Sequence, residues 1–345
     1  MPLRQRAGLE VTAGENRFER LVERVEGNEL ASLIGGARRE VVGKWLWIRT
    51  LVLGTHCRLS LSRASDDIRM VGRLYLEHLS DSDLALLAMA GATGDDVRRD
   101  PARLEALIDS PATFRTLFAD PGRDPLLRGS SFLIFAVLVH RVVRDLGHVS
   151  FVEEWVGPRQ RVPVFDTERL RDFAADPLRR LFLVQLLTSY TKLASGSTLV
   201  KTRRGWRRHR FSELDPIRLI ELAELVSAAE RPSVYRRLGD LSLFLTGIFP
   251  DYAAERLVAE RERRGLERVL APADRERSEN RDGLWLLEQL GRRAYRIAQE
   301  ATDRPTAMAA VLAEVSENFA AARRLLNFLT DRYLFPMRRQ WFGAD

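Results

Sequence analysis

At Asp100-Pro101, Ser110-Pro111, Asp176-Pro177 and Asp215-Pro216 a short polar side chain stands directly before a proline. That pair has a specific structural meaning. The side-chain oxygen accepts an N–H that the first helical turn leaves unpaired, and the proline sits where no N–H is needed. Each pair therefore predicts a helix start. Asp120-Pro121 and Asp124-Pro125 bracket a turn instead. Ser65 predicts the start of a helix running to Leu79, and Ser80 or Ser82 the start of the next, through Ala90. Beyond Asp215 the pattern is helical throughout, over 216–229, 233–248, 251–270, 280–302 and 305–330.

Two segments interrupt this pattern with β-forming residues around a turn. One is 150–165 (SFVEEWVGPRQRVPVF), about Gly157-Pro158; the other is 198–211 (TLVKTRRGWRRHRF), about Arg204-Gly205. Residues 41–62 fit either a helix or a strand. The expected fold is mainly α, a multi-helix globular fold with two short β-hairpin insertions at about 150–165 and 198–211. Residues 1–14 read as a loose tail, 15–95 as an N-terminal helical region and 96–258 as a central helical core carrying both hairpins. The charge-dense stretch 259–283 reads as a linker or an exposed long helix, and 284–345 as a C-terminal helical region. No repeat at solenoid periods is visible.

Hydrophobic residues make up 45% and charged residues 30% of 345, a globular composition in a chain long enough to bury a core without disulfides. The single cysteine, Cys57, excludes an internal disulfide and a cysteine zinc site; it reads as a small apolar filler in a reducing compartment. The first residues lack the apolar stretch of a signal peptide. The most apolar run, Phe132 to Val139, is far short of the about 20 residues a spanning helix needs, so it reads as core. A cytoplasmic protein without membrane insertion is the expectation.

The net charge of +7 is local. Lysine occurs only at Lys44, Lys192 and Lys201, so nearly all the positive charge is arginine, the bias of a GC-rich genome. Residues 201–210 (KTRRGWRRHR) hold six positive charges and no acid; without them the chain stands at +1. Concentration of charge in one place is what a binding patch requires.

Patterns for catalysis and metals are sparse. Ser189-Tyr190-Thr191-Lys192 matches S-x-x-K of serine acyl-transfer enzymes, but the companion elements are missing, which favours an ordinary amphipathic helix turn. The five histidines are scattered, with no metal-ligand spacing, and no phosphate-binding glycine motif occurs. No cofactor is implied. The segment around Tyr235, Arg236 and Asp240 is more distinctive. Asp240 lies one turn after Arg236, so the two can pair, and Gly239 in mid-helix costs about 1 kcal/mol unless something packs closely there. With Tyr190 these residues form a candidate polar pocket with an arginine anion clamp; the bland alternative is a buried helix whose ion pair satisfies itself. YRRLGDLSLFLTGIFPD at 235–251, SELDP at 212–216 and LLNFLTDRYLFP at 325–336 resemble segments of uncharacterised helical proteins from GC-rich bacterial genomes. The resemblance spans roughly the C-terminal two-thirds and carries no function with it.

The basic segment alternates as a hairpin. With its turn at Arg204-Gly205, Lys201 and Arg203 share a face of the first arm. Trp206, Arg208 and Arg210 share a face of the second, with Arg207 and His209 opposite. A hairpin charged on both faces should protrude, and arginines beside a tryptophan suit phosphate contact plus base stacking. The preceding helix is too apolar for a groove-reading helix. The leading expectation is thus a non-enzymatic accessory or regulatory protein binding nucleic acid, or another polyanion, without strong sequence preference through Lys201, Arg203, Arg204, Trp206, Arg207, Arg208 and Arg210. Two alternatives stand beside it. One is a protein–protein scaffold using the helical C-terminal half, with Trp341 and Phe342 as aromatic anchors. The other is an enzyme whose site is assembled from distant residues around Arg236 and Asp240.

Overall fold

The computed structural model describes residues 64–89, 94–118, 125, 128–157, 160–191, 195–202, 205–212, 215–256, 260–278, 281–301 and 307–334. The expectations for 1–14 and 41–62, and Cys57, Trp341 and Phe342, lie outside them. The fold is mostly helical. In chain order come α1 (Ala64–Leu76), α2 (Asp81–Ala88), α3 (Gly94–Arg99), α4 (Arg103–Ile108), α5 (Pro111–Phe118) and α6 (Ser131–Leu146). A first hairpin follows, β1 (Val152–Gly157) and β2 (Gln160–Val164), then α7 (Thr167–Ala175) and α8 (Pro177–Ser189). The second hairpin is β3 (Ser195–Thr202) and β4 (Gly205–Ser212). The rest is helical: α9 (Pro216–Leu225), α10 (Arg231–Ile248), α11 (Pro250–Arg256), α12 (Glu260–Glu267), α13 (Pro272–Ser278), α14 (Gly283–Glu300), α15 (Ala307–Glu317) and α16 (Phe319–Leu329), which ends in a wide turn over Thr330–Leu334. Among the described residues no helix is long and apolar enough to cross a membrane.

The caps act as their chemistry dictates. Asp176 Oδ1 accepts the N–H groups of Leu178 and Arg179 at 2.7 and 3.1 Å, and Asp215 Oδ1 those of Ile217 and Arg218 at 2.9 and 3.2 Å. Ser80 and Asp83 form a reciprocal capping box at the start of α2. Asp83 is fully buried, and its second oxygen accepts the Ser130 N–H at 2.8 Å, tying α2 to the start of α6. Asp100 departs from the pattern: α4 begins at Arg103 without a side-chain cap. The chain at Pro101 is instead pressed against Gly72 of α1, where a Cβ would stand 2.1 Å from the Pro101 carbonyl oxygen.

The chain divides into two compact units. The larger holds all the described helices and the first hairpin; the described part of the smaller is the β3–β4 hairpin. In the larger unit α6 is buried over the whole run Phe132 to Val139, and α8 packs along it. The longest helix pair is α10 on α14, flanked by α9, α15 and α16. Two glycines permit its close approach. A Cβ at Gly239 would stand 2.6 Å from the Tyr295 ring, and one at Gly291 2.5 Å from the Phe319 ring. The helix-propensity cost of Gly239 is thus offset by an aromatic ring set against the backbone. The segments 235–251 and 325–334 also meet. Buried Asn327 donates to the carbonyls of Thr246 and Gly247 at 3.1 and 2.7 Å, satisfying the end of α10.

One long helix expected from periodicity is broken, and the stretch expected as a linker or an exposed long helix is neither. The pattern over 305–330 splits at Asn318, whose side-chain amide donates to the Glu314 carbonyl at 3.1 Å and closes α15. The charged stretch 259–283 folds as α12 and α13, with Leu266 and Leu270 buried in the core. Arg263 and Ser278 both bond Glu267 there, at 3.2 and 2.6 Å, so the acid pins the two short helices together.

Candidate functional site

The second hairpin is longer than the alternation suggested, 195–212, and its turn lies one residue earlier. Thr202 pairs with Gly205, so Arg203 and Arg204 connect the strands rather than Arg204 and Gly205; both lie outside the described residues. Lys201 then stands opposite Trp206, Val200 opposite Arg207, Leu199 opposite Arg208, Thr198 opposite His209 and Ser197 opposite Arg210. A turn at Arg204-Gly205 would have set Lys201 opposite Arg208. Like charges directly across a ladder destabilise it. In the observed register every β4 cation faces a neutral residue, which is the physical reason to prefer it.

The polar residues on α10 are built differently. Arg236 Nε stands 4.0 Å from Asp240 Oδ2, and both side chains are largely buried. The other Asp240 oxygen accepts the phenolic O–H of Tyr295 at 2.9 Å. Burial pushes the Asp240 carboxyl up, against the opposing pull of Arg236, Arg237 and the Tyr295 hydrogen bond. Burial also pushes Tyr295 up, with Asp240 adding to it, so Tyr295 keeps its proton and donates. Next to this pair, Arg237 lies over the Tyr190 ring at 4.0 Å and donates to Ser189 Oγ at 2.7 Å. Tyr190 in turn stacks on Phe244 with centroids 4.0 Å apart.

Three of the four candidate pocket residues lie near one another, with Tyr190 close enough to Tyr295 to help raise it, while Tyr235 lines a separate groove. Arg236 and Asp240 meet as foreseen, but Tyr190 is engaged by Arg237, one residue further on. Tyr235 instead lines an open groove of about 510 Å³ with Glu224, Arg268 and Arg293, and none of Tyr190, Arg236 or Asp240 borders it. Sequence reasoning did not find Tyr295 or Arg237, and it reached Ser189 only through the S-x-x-K match. Gly239 signalled a close neighbour without saying which ring it was. Ser189 Oγ donates to the Leu186 carbonyl at 2.7 Å, so its proton is held by its own helix, as in an ordinary helix turn.

Elsewhere the ionisable groups inside the larger unit serve packing. His140 Nε2 and the Tyr75 hydroxyl share a hydrogen bond at 3.2 Å, and burial lowers His140 to about 3, with Arg180 and Arg144 adding to the shift. Arg323, almost fully buried, joins Glu154 of β1 to Glu288 of α14. Among the described residues no group of His, Cys, Asp or Glu is placed to hold a metal ion. No family model, no curated protein and no solved structure matches the chain.

Proposed function

We propose that this chain is an accessory or regulatory protein of the cytoplasm that binds nucleic acid, without strong sequence preference, through the β3–β4 hairpin. One observation carries the reading. An acid-free pair of strands, the described part of the smaller unit, holds Lys201, Arg207, Arg208 and Arg210 in a register where each faces a neutral residue. Such a ladder of cations suits a phosphate backbone, and arginine forks bond phosphate oxygens bidentately. Affinity of this kind comes largely from counterion release and weakens steeply with salt.

The test is a fluorescence-anisotropy titration at several salt concentrations with the parent and a variant carrying Arg203→Ala, Arg204→Ala, Arg207→Ala and Arg208→Ala. The log–log salt slope should fall by about 0.7 to 0.9 for each phosphate contact removed. Identical binding by parent and variant would sink the proposal.

A further inference from the structure

The pairing register sorts the hairpin's residues by face. Directly opposed residues share a face, and so do alternate residues along a strand. From the pairs Ser197↔Arg210, Leu199↔Arg208 and Lys201↔Trp206, one face carries Lys201, Trp206, Arg208 and Arg210. From Thr198↔His209, Val200↔Arg207 and Thr202↔Gly205, the other carries Arg207 and His209 among neutral residues. Most of the described cations, and the only tryptophan of the hairpin, thus fall on a single face.

That face has the order of parts that an unpaired strand needs. Trp206, Arg208 and Arg210 follow one another at two-residue steps, about 6.8 Å apart on a strand. This is comparable to the spacing of successive phosphates in an extended nucleic-acid single strand. Lys201 completes the row across the ladder from the tryptophan. A tryptophan gains from a base only where the base offers a free ring face. In a duplex both faces of nearly every base are covered by stacking, and in a single strand they are open. A duplex would take the cations and leave the tryptophan idle.

We infer that the nucleic acid is single-stranded and lies along the Lys201, Trp206, Arg208 and Arg210 face, one base stacking on Trp206 and neighbouring phosphates meeting the three cations. The inference rests on the proposed function and specifies its substrate class and its binding face.

The experiment uses the full chain, with fluorescein-labelled oligothymidine and a mixed-sequence duplex of equal length as probes. Trp206→Ala should weaken single-strand binding by about tenfold to a hundredfold and change duplex binding by less than about twofold. Trp206→Phe, which keeps a stacking ring, should recover most of the loss. The pair Arg208→Ala and Arg210→Ala should lower the single-strand salt slope by about 1.4, and the pair Arg207→Ala and His209→Ala by less than half as much. Circular dichroism on each variant checks that the fold is kept. Equal losses on both probes for Trp206→Ala, or equal damage from the two double variants, would overturn the inference while leaving salt-dependent binding, and so the proposed function, in place. A parent protein that binds neither probe overturns both.

Discussion

Arginine is used in opposite ways in the two units of this chain. In the larger unit it is a cross-link. Arg323 lies between Glu154 and Glu288, while Arg324 holds Glu154 at 2.7 Å and Arg292 holds Glu288 at 2.9 Å. Arg180 reaches Glu105 at 3.2 Å and the carbonyls of Ala174 and Ala175 at 2.9 Å. The bonds of Arg323 and Arg324 to Glu154, of Arg323 to Glu288 and of Arg180 to Glu105 tie elements far apart in the chain, and Arg292 braces Glu288 from one turn away. In the β3–β4 hairpin Arg207, Arg208 and Arg210 crowd onto one strand, and no Asp or Glu occurs between Ser195 and Ser212. The comparison teaches that arginine content says little about binding in a chain of this composition. What sets the hairpin apart is its local lack of acid.

If the larger unit depends on packing, its glycines should be its most sensitive points. Gly239→Ala and Gly291→Ala together should destabilise by several kcal/mol, since each overpacked site typically costs about 1–3 kcal/mol. Alanine's better helix propensity, worth about 1 kcal/mol per site, offsets only part of this. Denaturant melts showing the double variant as stable as the parent would break the account of the α10–α14 contact.

Asp240 sharpens the same point. Asp240→Ala leaves the buried Tyr295 hydroxyl without its acceptor and should cost about 1–3 kcal/mol. Asp240→Asn keeps an acceptor oxygen and removes the burial cost of the charge, so it should be much milder. If the asparagine variant melts as low as the alanine variant, the charge pairing with Arg236 matters more than the Tyr295 bond.

His140 gives a pH signature to the larger unit. The unfolded chain takes up its proton near the ordinary value of 6.5, and the folded protein only near 3. Between those values the unfolded state binds more protons, so stability falls as pH drops from about 6.5 toward 3, approaching about 1.4 kcal/mol per pH unit. His140→Gln should flatten this dependence by about one proton. Chemical denaturation across that window measures it, and equal slopes for parent and variant would show that His140 is not the group responsible.

The smallest expected effect completes the comparison. The quadruple arginine-to-alanine variant of the hairpin should change the stability of the larger unit by no more than about 0.5 kcal/mol, since all four arginines belong to the smaller unit. A collapsed melting temperature would mean that these arginines belong to the fold, and would remove the contrast between the two units.

Much of the fold was legible in the sequence because its signals are local. A cap at Asp176 or Asp215 acts on an N–H two or three residues away, and Arg236 needs only one helical turn to reach Asp240. The run Phe132 to Val139 is apolar enough to require burial in any arrangement, and β-forming residues around a glycine place both hairpins. Tertiary structure alone decided the partners. Tyr295 is 55 positions from Asp240, and Arg237 is 48 from Ser189, so no local pattern joins them. The same holds for Asn327, which closes a helix 80 positions earlier. Even the hairpin turn needed the paired strands, since only the full ladder reveals which register keeps Lys201 away from Arg208. Hydrogen bonds within a turn are set by neighbours in the chain. The choice among distant partners is made by whichever elements can pack closely enough to bring them within reach.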